Sequence, residues 1–157
     1  MSIYGEERAD EGPNVALFVD GPNMLRKEFM IDLRELRRRV QKYGKLMTAK
    51  VFINQFAPEK LIEAIINEGY ECVVILAQQQ EDATDVDVSL AVSAIETVLI
   101  KDVDVIALAT RDADFLPVVQ KAKEYGKKVI VLGAEPGFPA VCKMLQMLWK
   151  CCETIYL

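Results

Sequence analysis

The segment from residue 15 to residue 23, Val-Ala-Leu-Phe-Val-Asp-Gly-Pro-Asn, constrains the fold more than any other part of the chain. Its first five residues are apolar and rich in β-branched and aromatic types, which is typical of a strand buried on both faces of a parallel sheet. The run ends at Asp20 and continues into Gly-Pro-Asn, which favours a turn. Open α/β sheets bind ligands at the carboxyl ends of their strands. Asp20 is therefore predicted to lie at a ligand-binding edge.

Apolar runs that resemble strands alternate with amphipathic helical segments along the rest of the chain. This alternation predicts a three-layer α/β/α fold of Rossmann-like type, with a mainly parallel central sheet of five to six strands. Residues 1–13 are polar and aperiodic and are expected to form a flexible tail, and residues 14–157 are expected to form a single domain. The predicted strands cover residues 15–19, 46–54, 71–76, 103–109 and 127–132, and residues 155–157 are the candidate sixth strand.

Capping and turn residues mark the starts of several helices. Asp32 is a candidate N-cap for a helix beginning at Leu33, and Pro58 suits the first turn of the next helix. Thr84 is the candidate cap of a long helix that reaches Ile100. In the helix after Pro58, the residues expected to face the core are Leu61, Ile62, Ile65 and Ile66.

The chain contains no histidine, and this limits the chemistry that it can perform. A Ser-His-Asp triad, a Cys-His pair and imidazole metal ligands are excluded. The four cysteines form no Cys-x-x-Cys pair, so buried reduced thiols are expected rather than a zinc site. Hydrolytic chemistry would have to use carboxylates, lysines, hydroxyl groups or a metal ion, and no small-molecule organic cofactor is expected.

Composition also bears on location and partners. No apolar run reaches membrane-spanning length, and the polar, acidic start of the chain is unlike a signal peptide. A cytoplasmic protein without membrane association is expected. The net charge of -5 does not favour a dedicated nucleic-acid coat, although local basic patches could still bind nucleic acid.

Several aspartates are predicted to meet at one edge of the sheet. Asp20 follows the first strand, and Asp112 and Asp114 follow the fourth, so all three share an edge if these strands are neighbours. Asp87 shares a helical face with Ala94 and Val98 and begins the buried side of its helix. Each acid alone has a local explanation as a turn former or helix cap. The joint placement of these acids at one edge makes the local explanations weaker.

Three or four carboxylates without histidine suit a hard cation, Mg²⁺ or Mn²⁺, held through oxygen atoms and water. Such an ion can activate water and stabilise charge on a phosphodiester. Phosphodiester hydrolysis is therefore physically sensible, although it is not the only chemistry that this pattern permits. As a contrast, Asp102 and Asp104 precede their strand and are expected at the opposite edge as solvated turn acids.

Three blocks of sequence resemble the NYN domains, a PIN-like family of metal-dependent ribonucleases. Residues 18–23 (Phe-Val-Asp-Gly-Pro-Asn) resemble the family's opening strand and Asp-Gly-x-Asn turn. Residues 86–91 (Val-Asp-Val-Ser-Leu-Ala) resemble its Val-Asp-x-x-Leu helix start. Residues 109–117 (Ala-Thr-Arg-Asp-Ala-Asp-Phe-Leu-Pro) resemble its Ser-Gly-Asp-x-Asp-Phe-x-Pro block. One such block would be weak evidence, but three blocks in the order of the family make the resemblance fairly specific.

The resemblance implies a hydrolase that cleaves RNA phosphodiesters, with Mg²⁺ or Mn²⁺ as the metal. It implies catalytic and metal-binding roles for Asp20, Asp87, Asp112 and Asp114. It also implies that Asn23 and Thr110 orient a water or a phosphate. Arg111, which stands where the family often has glycine, is assigned to the same substrate-positioning group. Thr84 replaces a lysine that usually lies three residues before the helix acid, and Ser93 replaces an acid that many members carry six residues after it.

A basic helix face is the candidate RNA-binding surface, because it begins directly after the Asp20 turn. The alternative is a solvated helix face, which runs of charge usually form. Basic side chains there would contact phosphates without reading sequence. The residues assigned to RNA binding are Arg26, Lys27, Arg34, Arg37, Arg38 and Lys42.

Two functional interpretations remain open from the sequence. The first is a metal-dependent endoribonuclease, and the second is an RNA-binding or regulatory module of the same fold in which the altered positions have weakened or abolished catalysis. A phosphotransfer domain is set aside: a haloacid-dehalogenase-like enzyme needs a second acid where Pro22 stands, and the middle-strand acid and late lysine of a response-regulator receiver are not evident. A homodimer is a further prediction, although Met144, Met147, Leu148 and Trp149 fit a core better than a dimer face.

Overall fold

A single parallel sheet forms the centre of the protein. The structure is a computed structural model that describes residues 12–25, 31–79, 84–100, 102–110, 113–133 and 153–156. Six strands lie within these residues, in the order β3-β2-β1-β4-β5-β6, and every neighbouring pair is parallel. The strands are β1 (Asn14–Asp20), β2 (Lys45–Asn54), β3 (Glu71–Ile75), β4 (Val105–Ala109), β5 (Lys128–Gly133) and β6 (Glu153–Tyr156). The predicted parallel sheet and its number of strands are confirmed.

Helices connect the strands in the alternation that the sequence predicts. The α-helices within the described residues are α1 (Gly21–Met24), α2 (Leu33–Val40), α3 (Glu59–Asn67), α4 (Thr84–Ile100) and α5 (Leu116–Glu124). The carboxylate of Asp32 accepts hydrogen bonds from the backbone N–H groups of Arg34 (2.9 Å) and Glu35 (3.3 Å), so the predicted N-cap is confirmed. The four hydrophobic residues 144, 147, 148 and 149 lie outside the described residues.

The two faces of β1 bury different helices. Ala16 and Phe18 belong to one apolar cluster together with α4 and α5. Val15, Leu17 and Val19 belong to a second cluster on the other face, together with α1, α2 and α3. All five side chains are fully buried, as expected for a central strand covered on both sides. This arrangement is a three-layer α/β/α fold.

The strand order places a switch point between β1 and β4. From β1 the chain winds outward through β2 and β3, and it then returns to the other side of β1 to form β4 and β5. The order matches the 3-2-1-4-5-6 arrangement of doubly wound dinucleotide-binding sheets, which bind ligands in the crevice beyond the strand ends at this point. Asp20, the last residue of β1, lies at that position.

One core prediction is wrong. Ile66 of α3 is 58% exposed, whereas Ile65 is fully buried and Leu61 and Ile62 are partly buried against the same cluster. The buried side of this short helix is centred on Ile65, and Ile66 is rotated about 100° from it, toward solvent. Within the described residues, no helix is both long and apolar enough to cross a membrane.

Candidate active site at the carboxyl edge of the sheet

Asp20 and Thr110 form the centre of the candidate site. Val19 of β1 lies opposite Ala109 of β4, so the next residues of the two strands, Asp20 and Thr110, are brought side by side. The hydroxyl Oγ1 of Thr110 donates a hydrogen bond of 3.3 Å to Oδ2 of Asp20. Asp20 is 0% exposed and Thr110 is 2% exposed. A carboxylate is therefore buried at the switch point with a hydroxyl group beside it.

Asp87 lies in the first turn of α4, in the same layer as the Asp20 side chain. Side chains alternate along a strand, so Asp20 continues the side of β1 that carries Ala16 and Phe18, which is the side covered by α4. Helix α4 begins after the carboxyl end of β3, so its first turn lies at the carboxyl edge. The buried side of α4 begins at Val86 and continues through Leu90 and Ala94, and Asp87 is half-buried next to it.

One oxygen of each acid is buried in the same way. Oδ1 of Asp20 and Oδ1 of Asp87 are inaccessible to solvent, and neither atom accepts a hydrogen bond within the described residues. Burying carboxylate oxygens is costly unless a hydrogen bond, a proton or a cation compensates. The chemistry of the two side chains, anionic oxygen donors with a hydroxyl beside one of them, fits a hard divalent cation such as Mg²⁺ or Mn²⁺.

The structure describes only some of the other predicted site residues. Asp114 is exposed in a 3₁₀ turn (Ala113–Phe115) that follows β4, which places it at the same edge. Asp112 and Arg111 lie outside the described residues, and so does the side chain of Asn23, whose backbone is in α1 directly after Asp20. Among the residues that are described, no three Asp, Glu or Cys side chains are grouped closely enough to hold a metal ion. The described part of the site therefore consists of Asp20, Thr110 and Asp87, with Asp114 at its rim.

Three of the four arginines of α2 form ion pairs with glutamates. Arg34 makes two contacts of 3.3 Å with Glu68, at the end of α3. Glu35 accepts hydrogen bonds of 2.7 and 2.6 Å from Arg38 and one of 3.1 Å from Arg39. The hydrogen bonds from Arg38 and Arg39 lower the pKa of Glu35 to about 2. Much of the predicted basic face is thus neutralised by its own helix and by α3.

The basic helix and the acids lie in different layers. Helix α2 packs on the face of the sheet opposite to α4, and the guanidinium of Arg37 lies against the backbone of Gly69. Lys42 follows α2 in a 3₁₀ turn (Gln41–Tyr43), and the nearby Lys45 is hydrogen-bonded to Pro13 at the start of β1. The start of β1 is about 20 Å from Asp20 at the usual rise of a strand. Arg26 and Lys27 lie outside the described residues, and the RNA-binding role of the whole set stays a prediction.

Sequence reasoning missed one polar contact at this edge. The side-chain amide of Gln55, directly after β2, donates to the carbonyl of Ala77 (2.6 Å) and accepts from its N–H (2.8 Å). Ala77 lies in the connection from β3 to α4, whose first turn carries Asp87. No local sequence pattern reveals the contact between Gln55 and Ala77. The strand order could have indicated it, because β2 and β3 are neighbours and both end at this edge.

Taken together, the fold and the site define a Rossmann-like α/β domain that carries carboxylates at its switch point. A profile of the NYN domain matches residues 14–146, which is most of the chain. The chain belongs to the NYN domain family, a PIN-like nuclease family whose members are generally metal-dependent. The resemblance found in the sequence blocks is confirmed.

One relative is an uncharacterized protein of the archaeon Methanocaldococcus jannaschii. It is 52% identical over 137 residues, which is 87% of this chain and 54% of the relative. The chain therefore spans about half the length of this relative.

Two solved structures are weakly similar. A de novo designed Rossmann 2x3 fold protein has a TM-score of 0.39 and 17% identity, over 71% of this chain and 78% of the designed one. The scyllo-inositol dehydrogenase of Lactobacillus casei, solved with NAD(H) and scyllo-inositol, has a TM-score of 0.41 and 13% identity, over 93% of this chain and 36% of the enzyme. No functional conclusion follows from likenesses of this size.

Proposed function

We propose that this protein is a ribonuclease that hydrolyses RNA phosphodiesters with the help of Mg²⁺ or Mn²⁺. The observation that carries the proposal is the buried carboxylate of Asp20 beside Thr110, at the switch point of a sheet that belongs to a nuclease family. A ligand-binding crevice is expected there on topological grounds alone. The absence of histidine makes a carboxylate-held cation the natural source of hydrolytic power.

Four aspartates are assigned to the cation. Asp20 and Asp87 approach from β1 and from α4, in one layer of the fold, and Asp112 and Asp114 follow β4. When bound, a divalent cation acidifies water and offsets negative charge on the phosphate. The four side chains would hold the ion through their carboxylate oxygens, and Asn23, Thr110 and Arg111 are assigned to the positioning of the substrate.

The assigned substrate is RNA, bound through its phosphates. Basic side chains of the α2 region supply positive charge on the face of the sheet opposite to α4, and Lys42 is exposed in the turn after the helix, near the start of β1. Because α2 and the acids occupy different layers, a bound strand would have to pass over the edge of the sheet to contact both. Contacts of this kind would set affinity and its salt dependence, and they would not read sequence.

The proposal is tested by Mn²⁺-dependent hydrolysis of a labelled single-stranded RNA. We expect Asp20→Asn and Asp87→Asn to abolish hydrolysis and to remove the heat of Mn²⁺ binding in calorimetry, with folding intact by circular dichroism. Asp102→Asn is the matched control, because this exposed aspartate precedes β4 at the opposite edge of the sheet. Hydrolysis that survives in both site variants, or a wild-type protein that binds no Mn²⁺, contradicts the proposal.

A second candidate is an RNA-binding or regulatory NYN module with weak or no catalysis. Thr84 and Ser93 favour it, since they occupy positions where the family usually has a lysine and often an acid. This candidate predicts RNA binding without turnover under the same conditions. Cleavage by the wild type that is lost in Asp20→Asn rejects it.

We assign residues 14–157 to one domain preceded by a tail at 1–13. This chain spans about half of the Methanocaldococcus jannaschii relative. The activity and partners proposed here therefore refer to the NYN domain. The homodimer and the cytoplasmic location stay predictions.

A further inference from the structure

The side chain of Thr110 donates a hydrogen bond to the candidate catalytic carboxylate of Asp20. Its Oγ1 lies 3.3 Å from Oδ2 of Asp20, although the two residues are 90 positions apart in the chain. An ionised carboxylate can only accept, so the hydroxyl must donate. The bond therefore joins β1 to the end of β4 through the acid itself.

Thr110 is almost completely buried beside the Asp20 carboxylate. It is 2% exposed, and Ala109 before it is fully buried. A hydroxyl that orients a water or a phosphate at the rim, as the family resemblance implies, would need access to the crevice. The burial and the bond to Asp20 point instead to a role that is exerted through the carboxylate.

The backbone of Thr110 is held in place independently of that bond. Its N–H donates a 3.0 Å hydrogen bond to the carbonyl of Leu132 in β5. Threonine is branched at Cβ and has few accessible χ1 rotamers, so fixing the backbone also restricts the hydroxyl. The donor is thus positioned by β4 and β5 before any ligand arrives.

We propose that Thr110 is a positioning residue that fixes the orientation of the Asp20 carboxylate for a divalent cation. The inference rests on the proposed function and refines it. By engaging Oδ2, the hydroxyl sets the plane of the carboxylate and so limits the directions in which Asp20 can meet an ion. Groups that orient metal ligands in this way typically contribute about 10-fold to 100-fold in metal affinity.

The test is a calorimetric titration of Mn²⁺ into the full chain and into variants. Thr110→Val removes the hydroxyl and keeps the shape, Thr110→Ala is a second variant without it, and Thr110→Ser retains the donor. Thr97→Val is the matched control, because Thr97 is also buried and its hydroxyl donates to Ser93 within α4 (2.8 Å), away from Asp20. Thermal unfolding without metal, measured on every variant, separates affinity from stability.

We expect Thr110→Val and Thr110→Ala to weaken Mn²⁺ binding about 10-fold, Thr110→Ser to restore it, and Thr97→Val to bind as the wild type does. Wild-type affinity in Thr110→Val or Thr110→Ala overturns the positioning role while leaving the metal site intact. Equal weakening in Thr97→Val, or failure of Thr110→Ser to restore binding, also overturns it. A wild-type protein that takes up no Mn²⁺ overturns the proposed function and this inference with it.

Discussion

Gln55 and Ala77 are joined by two hydrogen bonds that run in opposite directions between a side-chain amide and a backbone peptide group. The pair ties the turn after β2 to the segment that follows β3. That segment leads into α4, whose first turn carries Asp87. The carboxyl edge is thus held together by a contact between two connections, in addition to the strands beneath them.

Removing the Gln55 amide should loosen this edge. Each hydrogen bond of this kind contributes about 1 kcal/mol, and exposure of Gln55 reduces the value, so we expect Gln55→Ala to lower the free energy of unfolding by about 1 kcal/mol in urea denaturation. Gln41→Ala, at an exposed glutamine after α2, should change it by less than about 0.5 kcal/mol. Equal effects at the two glutamines would mean that the Ala77 contact is not stabilising.

Glu35 should make stability depend on pH in the acid range. Its pKa is lowered to about 2 by hydrogen bonds from Arg38 and Arg39, whereas an unperturbed glutamate titrates near 4.5. The folded state therefore binds this proton less readily than the unfolded state. The stabilisation is present above pH 4.5 and is lost as the pH falls toward 2.

The variant Glu35→Gln should flatten that dependence. We expect the wild type to lose stability between pH 5 and pH 2 more steeply than Glu35→Gln, by thermal unfolding at low salt. Because the group is exposed, the difference is expected to be small. Glu63→Gln, at an exposed glutamate of α3, is the control and should follow the wild type. A wild-type slope in Glu35→Gln would mean that the ion pairs are not formed in solution.

The same glutamate should restrain RNA binding if the basic face of α2 contacts RNA. Glu35→Gln removes the negative charge that Arg38 and Arg39 contact, so we expect tighter binding of a labelled RNA and a slope of log affinity against log salt that is steeper by about 1. Fluorescence anisotropy at several salt concentrations measures both quantities.

The control for this experiment lies on α5. Lys121 pairs with Glu124 at 2.8 Å, three residues apart as Glu35 and Arg38 are. Glu124→Gln frees a cation away from α2 and should leave RNA affinity nearly unchanged. A similar gain in both variants would indicate a general effect of net charge, and no gain in Glu35→Gln would argue against α2 as the RNA surface.

The elements of the fold could be predicted because their signals are local. The apolar run before Asp20 has to be a buried strand, and Asp32 caps α2 through N–H groups only two and three residues away. Residues 84–100 carry a continuous helical pattern, and the predicted bounds agree with α4. In each case, residues close in sequence provide all the information that the prediction needs.

The contacts that shape the site could not be predicted in this way, because they join distant residues. Whether Thr110 lies beside Asp20 depends on which strand neighbours β1 and in what register, and hydrophobic periodicity specifies neither. Likewise, Arg34 looks like part of a solvated basic face until α3 brings Glu68 to it. Charge counts along one helix therefore overestimate the positive charge that the surface presents.

Gly21 links the turn after Asp20 to β2, and substituting it should damage both stability and the site. A Cβ at this position would collide with the backbone carbonyl of Phe52 and would come within 2.7 Å of Cγ2 of Ile53. The carbonyl cannot yield, because β2 is paired on both sides, with β1 and with β3. In Gly21→Ala the chain after Asp20 must therefore move, at a cost of about 1–3 kcal/mol, as for other overpacked sites.

The expected result for Gly21→Ala is a lower free energy of unfolding in urea together with weaker Mn²⁺ binding, because Asp20 is displaced with its neighbour. Gly126→Asn is the matched control: this glycine has a φ of +75°, nothing lies within 4 Å of its would-be Cβ, and asparagine tolerates that conformation. The control should keep wild-type Mn²⁺ affinity and lose less than about 1 kcal/mol. If Gly21→Ala is as stable as the control and binds Mn²⁺ normally, then the close approach of this turn to β2 does not set the position of Asp20.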